Sequence, residues 1–551
     1  MIQLGISAFY HDSAACLIKD GKILGAVEEE RFTGVKHDMR FPINSIKWLL
    51  RDNNVSLKDV NEVCWYENPK LKKDRVLKIF NKNFFKTLPL RFRFLKEYKY
   101  NNPSKVIKEN LGIELPVKFV EHHHSHAAFA FFTSPYIESA VLTVDGVGEW
   151  ETITIWHGSY RKLDKKASFN FPNSLGMFYS TFTSYIGFRP NEGEYKVMGL
   201  APYGNSEKYY SKLINLFEGF EINQKYFTWE YSDRIMFNLE LAKYLQVIPR
   251  LPEDEITQDH KDLAAAVQRV YTQKFRELVS LAKQLTGSTN LCIGGGSAYN
   301  GVANQTAYSI FKSVYIPFAP SDAGSCIGAC LVNCSDPRQI ISPYLGPDYS
   351  DFQVKFILSR YKNKVRWFKL SDDKLIQKTA QILHQQKIVG WFQGRMEFGA
   401  RALGNRSILA SPRDPQMREK LNLVIKKREG FRPFAPSVTL EQASKWFDIK
   451  EPVPFMNIVT KAKKVNRTIP FQAATHVDGT CRVQTVTKES NPRYHALLTE
   501  FGRIDGAQVL LNTSFNLKDE TITMTPVQAL DRFLNSKINY LIINNYLIQK
   551  L

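Results

Sequence analysis

The sequence lacks any run of roughly 18 uncharged apolar residues, the length that a membrane-spanning helix needs. Its first residues also lack a basic start followed by an apolar core and a cleavage site, which is the pattern of a secretory signal. Cysteine is scarce, because only seven are spread over 551 residues, and this number does not indicate a disulfide framework. We therefore expect a globular cytoplasmic protein, long enough for two or three domains with separate cores.

Acidic residues are few relative to basic ones, 54 against 74, which gives a formal net charge of +20. Half of this excess falls in residues 69–110, which hold thirteen Lys and Arg but three acidic residues, and which we call the basic insert. Its apolar residues recur at three- and four-residue spacings, so the pattern predicts amphipathic helices with basic outer faces. A solvated surface and a docking site for an anionic partner both fit this pattern.

Two segments share one pattern of apolar strands and polar turns. "LGISAFYHDSAACLIKDGKILGAVEEERF" and "AVLTVDGVGEWETITIWHGSYRKL" each predict a β-hairpin with a polar tip. A third element is a predicted strand that ends in Gly294, Gly295 and Gly296 before a helix, where the backbone can approach an anionic ligand. This order is typical of the actin, sugar-kinase and heat-shock chaperone fold, in which two related α/β subdomains close on a nucleotide.

Four histidines fall within five positions of "EHHHSHAAFAFF". His122 and His126 stand one helical turn apart on one face, close enough to hold a metal ion. Asp145 and Asp322 each follow a predicted strand in a turn of small residues, and they are the candidate carboxylate ligands. Two histidines and carboxylates predict a site for iron or a similar divalent transition metal.

Three cysteines recur at four-residue spacing in "SCIGACLVNC". Cys326, Cys330 and Cys334 therefore lie on one face of a predicted helix. We interpret them as small buried packing residues rather than metal ligands, because their spacing matches no standard zinc pattern.

A linker without hydrophobic periodicity, residues 333–351, precedes a second region rich in arginine. Its basic residues alternate with glycines and apolar residues, which suits bidentate capture of phosphate oxygens at partly buried positions. They are Arg395, Arg401, Arg406, Arg413, Lys426 and Arg432. Arg482, Ser514 and Asn516 follow as groups that can orient a polar ligand. The region is predicted to bind polyphosphate.

The motifs together resemble a known family over nearly the whole chain. The hairpin "ISAFYHDSAACLIKDGKILGAVEEERFTGVKHDMRFP", "EHHHSHAA", "VDGVGEW", "GEYKVMGLAPYG" and "PSDAGSCIGA" are similar to motifs of the O-carbamoyltransferases of nodulation-factor and antibiotic biosynthesis. The resemblance implies an α/β protein with two domains. Residues 1–340 would form a duplicated actin/sugar-kinase-like (ribonuclease-H-like) carbamoyl transfer domain, similar to the protein that transfers threonylcarbamoyl to transfer RNA. Residues 350–551 would form an α+β YrdC-like domain with a twisted mixed sheet.

The resemblance also implies a reaction and its residues. The second domain would convert carbamoyl phosphate and ATP, with Mg²⁺, to carbamoyl-adenylate, using Lys426, Arg432, Arg482, Ser514 and Asn516, with Arg401 beside them. The first domain would hold a divalent metal, Fe²⁺ by analogy, through His122, His126, Asp145 and Asp322. His11 and Lys36 match positions implicated there in substrate handling.

The resemblance implies an acceptor that is a hydroxyl-bearing small molecule, glycan or natural product, and the basic insert would attract an anionic one. Three alternatives stay open: carbamoylation of a hydroxylated nucleic-acid base, threonylcarbamoyl transfer to transfer RNA, and a nucleotide switch of the chaperone class. The protein could also form a homodimer. We expect the basic insert to shape the acceptor entrance.

Overall fold

The chain forms two compact units in the computed structural model, which describes residues 1–88, 102–232, 235–464 and 470–551. The first unit holds Met1–Glu29 and Met39–Ile341, and the second holds Glu30–Asp38 and Ser342–Leu551. Glu30–Asp38, which includes the one-turn helix α1 (Glu30–Thr33), thus belongs to the second unit although it follows the first hairpin in sequence.

The first unit alternates strands with helices. Its strands are β1 (Ile2–Ser7), β2 (Ala14–Lys19), β3 (Lys22–Glu28), β4 (Glu62–Trp65), β5 (Val117–Phe119), β6 (Glu138–Val144), β7 (Glu151–Ser159), β8 (Lys162–Asn170), β9 (Phe217–Glu218), β10 (Glu221–Ile222), β11 (Asn290–Gly294) and β12 (Ser313–Tyr315). Its helices are α2 (Ile43–Asp52), α3 (Pro69–Lys82), α4 (Pro103–Leu111), α5 (His122–Phe132), α6 (Leu175–Tyr185), α7 (Glu194–Leu200), α8 (Glu207–Ile214), α9 (Leu239–Leu245), α10 (Gln258–Thr286), α11 (Gly301–Asn304) and α12 (Asp322–Val332).

Two five-stranded sheets of the first unit have the same topology. One has the order β3-β2-β1-β4-β5 and the other β8-β7-β6-β11-β12. In each sheet the first three strands are antiparallel neighbours, and the last two join in parallel. The two predicted hairpins are confirmed as β1–β3 and β6–β8, and the repeated order supports the predicted duplication.

Helices α5 and α12 cross at a glycine contact. A Cβ atom added to Gly328 would lie 1.9 Å from the carbonyl oxygen of Ser125, and one added to Gly324 would lie 2.5 Å from the Phe129 ring. No side chain larger than hydrogen fits at Gly328 without moving the helices apart. The interior of the first unit therefore depends on two small residues one turn apart on α12.

The basic insert contributes α3 and α4 to the first unit, and Arg91 and Arg93 lie outside the described residues. Several of its lysines pair with carboxylates rather than presenting unbalanced charge. The N···O distances are 2.9 Å for Lys72 and Glu67, 3.0 Å for Lys78 and Asp74, and 2.7 Å for Lys82 and Glu230.

The second unit is a mixed sheet covered by helices on both faces. Its strands are β13 (Val365–Lys369), β14 (Val389–Phe392), β15 (Arg406–Ala410), β16 (Ala435–Thr439), β17 (Val459–Lys461), β18 (Thr480–Arg482), β19 (Gln484–Val486), β20 (Val509–Ser514), β21 (Tyr540–Ile543) and β22 (Tyr546–Lys550). Its further helices are α13 (Asp351–Arg360), α14 (Asp372–His384), α15 (Gln416–Glu419), α16 (Leu440–Trp446), α17 (Pro492–Asp505) and α18 (Pro526–Leu534).

The order of the large sheet is β13-β22-β21-β14-β15-β20-β16-β19, with parallel pairs at β21/β14 and β16/β19. One face packs against α13 and α18, and the other against α14 and α17. The whole chain is thus a mixed α/β protein, as expected from sequence. Within the described ranges, no helix has the length and apolar character needed to cross a membrane.

Gly328→Ala should destabilise the first unit, because its methyl group would overlap Ser125 at the crossing of α5 and α12. Overpacking of this kind costs about 1–3 kcal/mol in the free energy of unfolding. Calorimetry should show a lower unfolding temperature for this variant. Gly430→Ala is the control, because a Cβ there meets nothing within 4 Å, and equal unfolding temperatures for the two variants would contradict the prediction.

Candidate functional site

Four predicted ligands meet at one buried point of the first unit. The two His Nε2 atoms, both on α5, are 3.1 Å apart. Asp145, directly after β6, places Oδ2 3.4 Å from His122 Nε2 and 2.8 Å from His126 Nε2. Asp322, the first residue of α12, places Oδ1 3.6 and 3.5 Å from the same two atoms. The helix crossing at Gly328 brings these elements together.

The geometry and charge of this cluster fit a metal ion. One donor atom from each residue lies within 4.8 Å of all the others, which is the spacing of ligands around a single cation. Burial opposes ionisation of Asp145, but hydrogen bonds from His122 and His126 outweigh it and hold its pKa well below the usual range. Asp322 Oδ2 is buried with no hydrogen-bond partner in the described chain.

The two histidine ligands are oriented differently. His126 Nδ1 lies 3.1 Å from Ser325 Oγ, which fixes the ring and leaves Nε2 toward the cluster. The Nδ1 atom of His122 is buried and has no hydrogen-bond partner within the ranges that the structure describes. The orientation of His122 therefore depends on its backbone and on packing.

The other two histidines of the motif do not point at the cluster. His123 Nδ1 lies 2.6 Å from Thr143 Oγ1, and burial together with the neighbouring His122 lowers its pKa well below the usual value. The ring of His124 stacks on Trp156 with centroids 4.9 Å apart.

The predicted glycine turn lies against the cluster. Gly296 N donates to Asp145 Oδ2 at 3.3 Å, and a Cβ on Gly294 would lie 3.0 Å from the carbonyl oxygen of His126. Gly295 has φ +88°, and a Cβ there would lie 2.3 Å from Val144 O, so both conformation and space require glycine. Nucleotide binding by this turn stays a prediction.

His11 and Lys36 are placed in different units. His11 Nδ1 lies 3.0 Å from Asp12 Oδ2 in the first unit. Burial alone would lower the pKa of His11, but the carboxylates of Asp322 and Asp12 outweigh it and raise the pKa to about 10. Lys36 is exposed and lies in Glu30–Asp38, which belongs to the second unit.

Lys426, Ser514 and Asn516 come together in the second unit. Lys426 Nζ donates to Ser514 O at 2.5 Å, Asn516 O at 2.9 Å and Asn516 Oδ1 at 2.6 Å. The pKa of Lys426 is held well below its usual value by burial and by the nearby guanidinium groups of Arg428, Arg432 and Arg532. Three guanidinium groups near one buried amine form a candidate anion site.

Arg401 and Arg482 are not part of these hydrogen bonds. Arg401 lies in the loop between β14 and β15, and Arg482 ends β18. Their predicted contact with phosphate stays a prediction.

The predicted phosphate capture by Arg406 is wrong for this structure, whereas capture by Arg413 stays a prediction. Arg406 is fully buried, donates to the carbonyl oxygens of Gln393 at 2.6 Å and Pro347 at 2.9 Å, and lies 3.7 Å from the centre of the Phe392 ring. Carbonyl oxygens can therefore satisfy a buried guanidinium in place of an anion. Arg413 Nη2 pairs with the carboxylate of Asp505 at 3.1 Å.

Sequence reasoning missed several residues around both clusters. Glu149 accepts the backbone N–H of His122 at 3.0 Å, although it stands four positions after Asp145 in the quoted motif "VDGVGEW". Ser325 stands three residues after Asp322, a helical spacing that could have placed it beside the ligands. No motif or spacing in the sequence indicated that Arg428 and Arg532 lie near Lys426.

Comparison with protein families matches the carbamoyltransferase N-terminus to residues 2–331 and the carbamoyltransferase C-terminus to residues 380–550. The chain belongs to the carbamoyltransferase family. It is an enzyme of the transferase class.

Curated relatives extend over most of this carbamoyltransferase. An uncharacterised protein of Synechocystis is 39% identical over 99% of this chain and 96% of its own length. The nodulation protein NolNO of Sinorhizobium fredii is 34% identical over 99% and 80%. The 3'-hydroxymethylcephem-O-carbamoyltransferase of Amycolatopsis lactamdurans is 28% identical over 76% and 78%.

Among solved structures, full-length HypF in its phosphate- and nucleotide-bound form is 17% identical, with a TM-score of 0.32, over 60% of this chain and 46% of that chain. Component A of the (R)-2-hydroxyglutaryl-CoA dehydratase of Acidaminococcus fermentans is 14% identical, with a TM-score of 0.33, over 60% and 96%.

We expect the protein to bind one Fe²⁺ or Co²⁺ ion per chain and His126→Ala to lose that ion, because one of four converging ligands is removed. His124→Ala is the matched control, since that ring stacks on Trp156 instead. Metal content after dialysis, measured by mass spectrometry, checks both. Equal retention of metal by the two variants would refute the assigned ligand set.

Proposed function

We propose that this carbamoyltransferase works in two steps: the second unit activates the carbamoyl group as carbamoyl-adenylate, and the first transfers it to a hydroxyl group at the metal cluster. The observation that carries the proposal is the metal-ligand geometry of His122, His126, Asp145 and Asp322. Carbamoyl phosphate and ATP with Mg²⁺ are the proposed substrates of activation.

Activation is supported by the cations around Lys426. Like charges repel one another, so a set of Arg428, Arg432 and Arg532 near a buried amine favours a polyanionic ligand that offsets their repulsion. Burial and these arginines hold the pKa of Lys426 well below its usual value, and a bound anion would offset the repulsion. ATP supplies three phosphates for this purpose.

Activation consists of two reactions. Cleavage of carbamoyl phosphate by water gives carbamate and inorganic phosphate. A carbamate oxygen then attacks the α-phosphorus of ATP, so that an O–P bond forms and pyrophosphate leaves. The product, carbamoyl-adenylate, carries a better leaving group for attack by an alcohol than free carbamate does.

Transfer is supported by the buried ligands of the first unit. A divalent ion held there would polarise the carbamoyl carbonyl or lower the pKa of the acceptor hydroxyl. We propose Fe²⁺, because imidazole and carboxylate ligands with open positions suit this ion. His11, beside Asp12 in the same unit, is the proposed substrate-handling residue.

The proposed acceptor is a hydroxyl-bearing small molecule or glycan, in keeping with the name of the cephem O-carbamoyltransferase relative. Carboxylates balance Lys72, Lys78 and Lys82 of the basic insert, which weakens the support for a broadly polyanionic acceptor such as nucleic acid.

The proposal is tested first at activation. Arg432→Ala should lower carbamoyl phosphate-dependent exchange of pyrophosphate into ATP by about 10- to 100-fold, since a hydrogen bond to a charged group contributes about 1.5–3 kcal/mol. Wild-type protein stripped of the metal ion of the first unit should keep this exchange when Mg²⁺ and ATP are supplied. The reason is that the metal cluster of the first unit serves transfer and not activation.

Arg503→Ala is the matched control, as that arginine pairs with Glu500 and its side chain is 71% exposed. Wild-type exchange by Arg432→Ala, or loss of exchange when the protein is stripped of metal but folded, would refute the proposed division of labour.

A further inference from the structure

Glu149 occupies the N-terminal end of the histidine helix. Its two carboxylate oxygens accept the backbone N–H of His122 at 3.0 and 3.1 Å, and its side chain is buried. The N-cap residue Glu121 makes no side-chain cap bond, so a residue from another element satisfies this N–H group. A carboxylate is favoured there by the positive end of the helix dipole.

The loop that carries Glu149 also carries a metal ligand. Residues 145–150 join β6 to β7, with Asp145 at one end of the loop and Glu149 near the other. Between them, Gly148 packs on the metal-binding histidine itself, because a Cβ at Gly148 would lie 3.0 Å from His122 Cβ. The loop thus contacts His122 through both its backbone and its side chain.

Helix α3 of the basic insert holds this loop from the other side. Asn68 N, just before the helix, donates to Glu149 Oε1 at 2.6 Å, and Arg75 Nη1 donates to Gly148 O at 2.9 Å. Trp150 Nε1 donates to Asp74 Oδ2 at 3.3 Å. Two hydrogen bonds from the insert, and one from Asn68 directly before it, therefore join this segment to the loop beside the metal cluster.

The two histidine ligands differ in what orients them. Ser325 contacts the ring of His126 directly, whereas the buried Nδ1 of His122 has no hydrogen-bond partner in the described chain. For His122, the carboxylate of Glu149 contacts the backbone N–H group of the same residue instead.

We propose that Glu149 is a positioning residue for the metal centre: it orients His122 through the helix N-terminus, and α3 of the basic insert holds it in place. The inference rests on the proposed metal site of the first unit. In this proposal, α3 of the insert supports the loop beside the metal cluster, in addition to presenting basic side chains to solvent.

The test compares Glu149→Gln with Glu121→Gln in the full-length protein. Both variants remove one carboxylate near the start of α5, but Glu121 contacts Lys165 at 3.3 Å and its side chain is 46% exposed. Co²⁺ affinity is measured by equilibrium dialysis, with the visible spectrum of bound Co²⁺ as a second readout. Loss of an outer-shell partner weakens metal binding about 10- to 100-fold, which we expect for Glu149→Gln alone, together with an altered spectrum.

The outcomes separate the two hypotheses. Wild-type protein that binds no Co²⁺ at this site would overturn the proposed metal centre itself. Binding by wild type and by Glu149→Gln with equal affinity and spectrum, or equal weakening by both variants, would overturn the role of Glu149 alone. If Glu149→Gln does not fold, Glu149→Asp replaces it, since its shorter side chain withdraws the carboxylate from His122, and wild-type affinity in that variant would likewise overturn the proposal.

Discussion

The close crossing of α5 and α12 is the constraint on which the first unit depends. Gly328 lets the Ser125 carbonyl approach to a distance that excludes any side chain. This contact sets His126 on one helix opposite Asp322 at the start of the other, with Oδ1 and Nε2 3.5 Å apart. Because three of the four ligands come from helices packed this tightly, the core holds most of the ligand geometry, and Asp145 joins them from the loop after β6.

The second unit uses a different principle, because its candidate site gathers basic side chains, of which Arg432 pairs with Glu429 and Arg532 with Glu520. Lys426 bonds to the acceptor atoms of Ser514 and Asn516, which line the end of β20 and the turn after it. The arginines nearby add positive charge that a phosphate ligand would balance. A candidate anion site and a candidate metal site thus belong to separate units of one chain, in keeping with the proposed separate activation and transfer steps.

The sequence was informative where function required unusual local patterns. The paired histidines, the glycine turn and both hairpins could be predicted because each leaves a signature in spacing or composition. Burial could not be assigned in the same way. Arg406 resembles a phosphate ligand in sequence, yet backbone carbonyl oxygens surround its guanidinium. Glu149 was visible in its motif, but its bond to His122 depends on a contact between β6–β7 and α5 that no local pattern encodes.

Two histidines and two aspartates of the first unit are proposed to bind one metal ion. X-ray absorption spectroscopy of protein loaded with one Zn²⁺ per chain tests this ligand set directly. If the assigned ligands are correct, nitrogen and oxygen atoms should lie about 2.0–2.2 Å from the Zn²⁺ ion, with the scattering pattern of two imidazole rings. The cysteines Cys326 and Cys330 pack in the core against Gly5 and should contribute nothing. A sulfur neighbour at about 2.3 Å, or a first shell without imidazole, would contradict the assigned centre.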